Sequence, residues 1–252
     1  MKQAVLFDFH NTLATCDAWL ELEIHTLAKN TLIELAIRGW IEDVTEARGT
    51  EAVQRFRRLR ADVRREGVEI SAVDGTQRVL KEMGYDSNML PVGEVVESLE
   101  YALLPSVAMV PGADDLLVAL HERGCKLAVV SSAGLPAFVE RALEQMGLHR
   151  YFSTVVTSAG EGIYKSNPEI FRVAASKLGV SPGQAVHIGD HPVYDVQGAR
   201  RAGLSAIWFN AYTHRTSAAH GTPHDKAVAQ GGEADAVISD LSQALSALER
   251  LG

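Results

Sequence analysis

Residues 127–157 read LAVVSSAGLPAFVERALEQMGLHRYFSTVVT, which is the pattern of one parallel β-α-β unit. The apolar runs at 127–130 and 154–157 predict strands, and residues 135–146 between them carry apolar side chains at helical spacing. Gly147 follows at the position where glycine commonly ends a helix. Strands that are apolar along their whole length are typical of a parallel sheet that helices cover on both faces.

The same alternation of strands and helices extends in both directions along the chain. An apolar run at 4–9 predicts the first strand, and Pro111-Gly112 breaks the chain before the next helix. Further strands are predicted at 185–188, 205–209 and 236–238, and further helices at 113–123, 168–178, 195–202 and after residue 238. The sequence therefore predicts an α/β fold with a doubly wound, Rossmann-like parallel sheet.

Residues 16–105 have a different pattern, with helical periodicity and no convincing strand. Helices are predicted at 17–38, 44–65, 71–83 and 92–103. Because this helical block directly follows the first strand, we interpret it as an insertion into the sheet domain. We predict a core made of residues 1–15 and 106–252, and an inserted helical domain of residues 16–105.

The composition excludes several classes of protein. The 252 residues contain 24 Lys and Arg against 32 Asp and Glu, a formal net charge of −8, which argues against general affinity for nucleic acid. The apolar runs are too short to cross a bilayer, and the N-terminal segment lacks the pattern of a signal peptide, so we expect a cytoplasmic protein without a membrane partner. Two cysteines cannot build a disulfide framework. The sequence is compatible with a monomer or a homodimer.

Polar side chains stand where the predicted strands end, and ligands bind at that edge of an open parallel sheet. Three of them are the carboxylates Asp8, Asp190 and Asp195, which can lie together only if a cation neutralises their repulsion. Carboxylate oxygens favour Mg²⁺. The other candidates at these ends are His10, Thr12, Ser131, Ser132, Lys165, Asn167 and His191.

With these motifs in this order, residues 8–12, Ser131, Lys165 and the run GDHPVYD at 189–195, the whole chain resembles the haloacid dehalogenase superfamily of hydrolases. The resemblance implies a Rossmann-like core with an α-helical cap inserted after the first motif. It also implies a Mg²⁺-dependent phosphatase that acts on a small phosphorylated metabolite.

The resemblance also assigns roles to the candidate residues. It implies that Asp8 is the nucleophile and forms an aspartyl phosphate, and that Ser131 and Lys165 hold the phosphoryl oxygens. Magnesium would be bound by Asp8, the backbone carbonyl of His10 and Asp190, with Asp195 supporting the metal or Lys165. We place Thr12, Ser132, Asn167 and His191 as substrate contacts because they stand beside these residues at the strand ends.

His10 departs from the phosphatase pattern, which has a second Asp two residues after the nucleophile. Three interpretations are open. His10 itself can do the acid/base work, since an imidazole titrates near pH ~6.5. It can mark cleavage of a carbon–halogen or carbon–phosphorus bond, although dehalogenases usually lack the intact fourth motif and phosphonatases need a Schiff-base lysine in the cap, which here offers only Lys29 and Lys81. It can also mark a member that binds a ligand without turnover.

Other conspicuous residues have plainer interpretations. His187 lies inside an apolar strand and is expected to be a hydrogen-bonded core histidine. The segment 213–233 is predicted to be a surface loop, and its His214, His220 and His224 give no reason to expect a metal site. The predicted helix at 44–65 carries seven Arg, for which ion pairs and solvation are the default interpretation and attraction of an anionic substrate is the alternative.

Overall fold

The computed structural model describes residues 2–212 and 234–252, and eight strands lie within them. They are β1 (Ala4–Phe7), β2 (Ala14–Thr15), β3 (Ala108–Met109), β4 (Lys126–Ser131), β5 (Thr154–Thr157), β6 (Ala185–Gly189), β7 (Ser205–Phe209) and β8 (Ala236–Ile238). Six of these form one parallel sheet in the order β5-β4-β1-β6-β7-β8. The predicted doubly wound parallel sheet is confirmed, and β1 lies near its centre.

The helices follow the predicted order, apart from two π-helical segments and an additional four-residue helix, Ser158–Glu161, that was not predicted. They are α1 (Asp17–Glu21), α2 (Leu27–Ile37), α3 (Glu46–Glu66), α4 (Ala72–Glu82), α5 (Val92–Tyr101), α6 (Ala113–Glu122), α7 (Pro136–Gln145), α8 (Ser158–Glu161), α9 (Glu169–Lys177), α10 (Gly198–Ala202) and α11 (Ala244–Arg250). The helix predicted at 17–38 is interrupted by a π-helical turn, Leu22–Thr26. A second π-helical segment, Pro192–Gln197, precedes α10. Such π turns occur frequently at functional sites.

The two faces of the sheet bury separate apolar clusters because side chains alternate along a strand. On β1, Val5 and Phe7 belong to the cluster that includes side chains of α6, α7 and α11. Ala4 and Leu6 belong to the cluster formed with α9 and α10. Helices therefore cover both faces, which explains why the strands are apolar throughout.

Helices α2–α5 form the inserted cap, and the chain enters and leaves it through a small antiparallel ribbon. In this ribbon β2 pairs with β3, so that Ala14 faces Met109 and Thr15 faces Ala108. The sequence did not predict the ribbon, because two-residue strands are too short to show a period. The cap interior is continuous with the α6–α7 side of the core through a single apolar cluster. The boundaries near residues 15 and 106 remain a prediction.

Two further expectations from the sequence concern the loop at 213–233 and the crossing of a membrane. The loop predicted at 213–233, with His214, His220 and His224, lies outside the described residues. Within residues 2–212 and 234–252, no helix combines the length and the apolar character that crossing a membrane requires.

Candidate active site

A cleft lies between the carboxyl ends of the central strands and the helical residues 17–26 at the start of the insertion. Its floor is formed by Asp8 after β1, Ser131 at the end of β4, and Asp190 after β6. These three strands are neighbours in the sheet, which is why residues so distant in sequence meet here. The backbone N–H of Asp8 donates to the carbonyl of Ile188 at 2.9 Å, so the chain continues the sheet pairing as it reaches the cleft.

Three buried carboxylates and one ammonium form the centre of the floor. Asp8, Asp190 and Asp195 each place a carboxylate oxygen within 4.8 Å of the others. Buried Lys165 donates from Nζ to Asp8 Oδ1 and, at 2.7 Å, to Asp195 Oδ1. The cation thus links two of the three carboxylates, as the repulsion between buried like charges requires.

Burial and Lys165 set the charges of this cluster. Burial raises the pKa of Asp8 to about 7, although the nearby ammonium of Lys165 opposes the shift. Burial also disfavours the ionised form of Asp195, but Lys165 and the hydrogen bond from His187 outweigh it and hold the pKa of Asp195 well below its usual range. Lys165 therefore favours the ionised form of Asp195, whereas burial favours the neutral form of Asp8.

Asp195 is held by contacts from three directions. His187 Nε2 lies 3.0 Å from Oδ1, and the backbone N–H of His191 donates to Oδ2 at 2.9 Å. Fully buried His187 packs its ring edge against Phe171, as expected for a core histidine with a polar partner. A Cβ at Gly189 would overlap the Asp195 side chain, so this position admits only glycine without displacing the carboxylate.

The donor set of the floor fits Mg²⁺. Three carboxylates supply the hard oxygen ligands that this ion prefers, and they are buried at the bottom of a cleft that a substrate can enter. The chain can therefore hold a metal ion at this point.

The structure brings most of the predicted site residues to the cleft, but not all. His10, Ser131, Ser132 and His191 line it together with the carboxylates and Lys165. His10 Nε2 lies 3.5 Å from Asp17 Oδ1 at the start of α1.

Thr12 and Asn167 do not line the cleft. Thr12 is fully buried, and Asn167 Oδ1 accepts from the backbone N–H of Glu169 at 3.0 Å, which caps the start of α9. The roles of all these residues toward a substrate stay predictions.

The cleft also contains residues that sequence reasoning missed or left among alternatives. Glu23 and Arg60 line the cleft, and so do Trp19, Tyr164 and Tyr194. The Trp19 ring stacks on Phe138 with centroids 4.7 Å apart. The sequence offered one indication of a buried Glu23, because this carboxylate stands between Leu22 and Ile24, which are also buried.

The Arg-rich helix α3 mostly follows its default interpretation. Arg48 and Arg55 pair with Glu51, and Arg65 pairs with Asp62, all on the cap surface. Arg60 alone among the seven lines the cleft, where its Nη1 and Nη2 donate to Glu69 at 2.6 and 3.3 Å.

Burial also changes the carboxyl of Glu23. Its Oε1 accepts from the backbone N–H of Gly134 at 2.6 Å, three residues beyond Ser131. Burial raises the pKa of Glu23 to about 7, although Arg60 and this hydrogen bond favour the ionised form. Burial thus favours the neutral form of this carboxyl on the cap side of the cleft.

Comparison with known families and proteins gives consistent results. The profile of haloacid dehalogenase-like hydrolases matches residues 2–203. A glyceraldehyde 3-phosphate phosphatase of Methanopyrus kandleri is 32% identical over 207 residues, which span 82% of this chain and 83% of that protein. A phosphoserine phosphatase of Thermus thermophilus is 40% identical over 98 residues, but this match spans only 39% of each protein.

Solved structures show the same fold. A 2-haloacid dehalogenase of Pseudomonas syringae superimposes with a TM-score of 0.68 at 23% identity over the whole of both chains. A phosphatase of this superfamily from Thermococcus onnurineus superimposes with a TM-score of 0.61 at 26% identity, covering 98% of each chain.

Proposed function

The chain belongs to the haloacid dehalogenase-like hydrolases, and on this basis we propose that it is a Mg²⁺-dependent phosphatase for a small phosphorylated metabolite. The observation that carries the proposal is the buried cluster of Asp8, Asp190 and Asp195 with Lys165 between two of them. Phosphoryl transfer is catalysed chiefly by positioning and by neutralising negative charge, and this cluster supplies both. The names of the relatives, phosphatases for glyceraldehyde 3-phosphate and phosphoserine, support the same reaction class.

In the proposed reaction a carboxylate oxygen of Asp8 attacks the phosphorus atom. The new O–P bond replaces the bond to the substrate's alcohol oxygen, which leaves with a proton from His10. A water molecule then attacks the aspartyl phosphate, His10 takes its proton, and inorganic phosphate and free Asp8 are released. Lys165 and Ser131 bind the phosphoryl oxygens, and the cap excludes other water from the cleft.

The carboxylate cluster supplies the residues that would hold the metal ion. Because Lys165 already lies against Asp8 and Asp195, we place Mg²⁺ on Asp8, Asp190 and the backbone carbonyl of His10, with Asp195 in support. When bound, the ion neutralises negative charge on the phosphoryl group and on Asp8.

The other two interpretations of His10 find less support. The likeness to a 2-haloacid dehalogenase at 23% identity concerns the fold alone. Lys29 and Lys81 are not among the described residues that line the cleft, so neither offers the Schiff-base lysine of a phosphonatase. A member that binds a ligand without turnover is distinguished from our proposal by a measurement of phosphate release.

The proposal is tested by measuring phosphate release from a panel of short phosphomonoesters. With Mg²⁺ present we expect turnover of at least one ester, and we expect a chelator to abolish it and added Mg²⁺ to restore it. Chloride release from 2-chloropropionate and phosphate release from phosphonoacetaldehyde serve as controls for the alternatives. Absence of phosphate release from every monoester, with the ligands still bound, would favour the non-catalytic interpretation.

Replacing His10 by alanine is expected to affect esters according to their leaving group. An alkoxide must be protonated as it leaves, so kcat for an alkyl phosphate should fall by about 10²-fold. p-Nitrophenolate leaves without protonation. The rate constant for phosphoenzyme formation from p-nitrophenyl phosphate, measured from the burst of p-nitrophenolate, should therefore change little. His10→Asp should retain turnover of the alkyl ester. Equal losses for both substrates would show that His10 is not the proton donor.

A further inference from the structure

The cap side of the cleft contains two buried polar side chains with hydrogen-bonding atoms that no described residue uses. Glu23 is 3% exposed, and its Oε2 has no partner within the described chain, whereas Oε1 is held by Gly134. Arg60 is 4% exposed, and its Nε has no partner there, whereas both terminal nitrogens are held by Glu69. A buried polar atom without a partner is unfavourable, and a ligand that hydrogen-bonds to it relieves this cost.

The two atoms are complementary. Ionised Glu23 Oε2 can only accept a hydrogen bond, and Arg60 Nε can only donate one. Around them the cap side is apolar, with Trp19, Leu20 and Ile24 lining the same cleft. A ligand that satisfies both atoms therefore carries a hydrogen-bond donor for Glu23 and an acceptor for Arg60.

The charges on the cap side of the cleft further restrict which substrate groups can bind there. The guanidinium of Arg60 is already neutralised by fully buried Glu69, which Ser158 Oγ also holds at 2.7 Å. A carboxylate on the substrate would therefore meet no uncompensated cation on the cap side, and it would lie near two glutamates. A neutral hydroxyl or carbonyl group pays no such electrostatic penalty.

We propose that Glu23 and Arg60 form a specificity subsite for a short phosphomonoester with an uncharged, hydroxylated organic part. Glu23 Oε2 accepts a hydrogen bond from a hydroxyl group of the substrate, and Arg60 Nε donates to a neighbouring oxygen. The subsite selects polyol and hydroxy-carbonyl phosphates and disfavours phosphates that carry a carboxylate. This inference rests on the proposed phosphatase function.

The test compares Glu23→Gln with the wild type on glycerol 3-phosphate, ethyl phosphate and 3-phosphoglycerate. Glutamine keeps the size of the side chain but can place an NH₂ donor where the unused acceptor lies. We expect the wild type to prefer glycerol 3-phosphate over the other two by about 10-fold to 100-fold in kcat/KM, the range of one hydrogen bond to a charged group. In Glu23→Gln the ratio of kcat/KM for glycerol 3-phosphate to that for ethyl phosphate should fall by about 10-fold or more, chiefly through a higher KM for glycerol 3-phosphate.

Glu21→Gln is the matched control, because Glu21 lies on the preceding helix with an exposed side chain and is absent from the cleft lining. An unchanged preference in Glu23→Gln would overturn the proposal, as would a wild-type preference for 3-phosphoglycerate. Phosphoethanolamine carries a charged ammonium donor instead of a hydroxyl group. A preference for phosphoethanolamine over glycerol 3-phosphate would overturn the proposal that the subsite selects a neutral group.

Binding separates this inference from the proposed reaction. Calorimetric titration of glycerol 3-phosphate into Asp8→Asn and into Asp8→Asn/Glu23→Gln measures the subsite without turnover. We expect the second variant to bind about 10-fold or more weakly. Equal affinities would refute the subsite even if phosphatase activity is found, and a clear difference would support it even if no ester is hydrolysed.

Discussion

Replacing Asp8 by asparagine is expected to lower kcat for phosphate release by about 10⁴-fold or more, while the protein remains folded. The amide cannot form the covalent phosphoenzyme, and removal of a nucleophile typically leaves only the catalysis due to binding and charge stabilisation. The fold should tolerate the change because the two side chains have nearly the same shape. Lys165 also keeps Asp195 as its partner.

The covalent step can be observed directly. Rapid quenching of the wild type with substrate should reveal a protein mass larger by one phosphoryl group, and Asp8→Asn should not show it. Asp8→Ala is the companion variant, because it cannot regain a carboxylate by deamidation. Phosphate release by Asp8→Ala at the wild-type rate would rule out the aspartyl-phosphate mechanism.

Replacing Lys165 by methionine is expected to lower the free energy of unfolding by about 3–5 kcal/mol, in addition to removing activity. Removal of one partner from a buried ion pair leaves the other charges without compensation. Here the uncompensated groups are Asp8 and Asp195, which lie within the same buried cluster. Urea denaturation without Mg²⁺ measures the effect.

Two further variants make this result specific. Lys177→Met removes an exposed lysine that pairs with Glu161, and it should change stability by less than about 1 kcal/mol. The double variant Lys165→Met/Asp8→Asn should recover part of the loss, because one of the two uncompensated carboxylates is gone. A double variant less stable than Lys165→Met alone would contradict repulsion between Asp8 and Asp195 as the cause.

The sequence predicted the sheet and the floor of the cleft well because both follow from local patterns. Apolar runs mark the strands, and the order β4-β1-β6 converts three distant strand ends into one cluster. The placement of Asp8 and Asp190 in the cleft could be expected from their positions after β1 and β6, and that of Lys165 from its position in the segment after β5. The order of the strands in the sheet was not predicted, because no local sequence pattern encodes it.

The cap side of the site could not be predicted to the same degree. Periodicity predicted one helix at 17–38, whereas a π turn at Leu22–Thr26 changes which side chains face the cleft. Seven arginines on one helix are equivalent in sequence, and only the packing against Glu69 singles out Arg60. Side-chain direction after a π turn and the choice among like residues depend on tertiary contacts, which a single sequence does not contain.

The central position of β1 shapes how the chain reaches its native state. β1 is the first strand of the chain, yet Ala4 pairs with Lys126 and Ala185. Both neighbours of β1 in the sheet are therefore distant from it in sequence. Such long-range pairing slows folding, because the entropy cost of closing the loop is incurred before the pairing contacts form. The pairing of Ala14 with Met109 holds the two ends of the insertion together, so the effective loop between β1 and β4 is much shorter than the chain it contains. The length of the cap therefore adds little to the loop-closure entropy of placing β1 in the middle of the sheet.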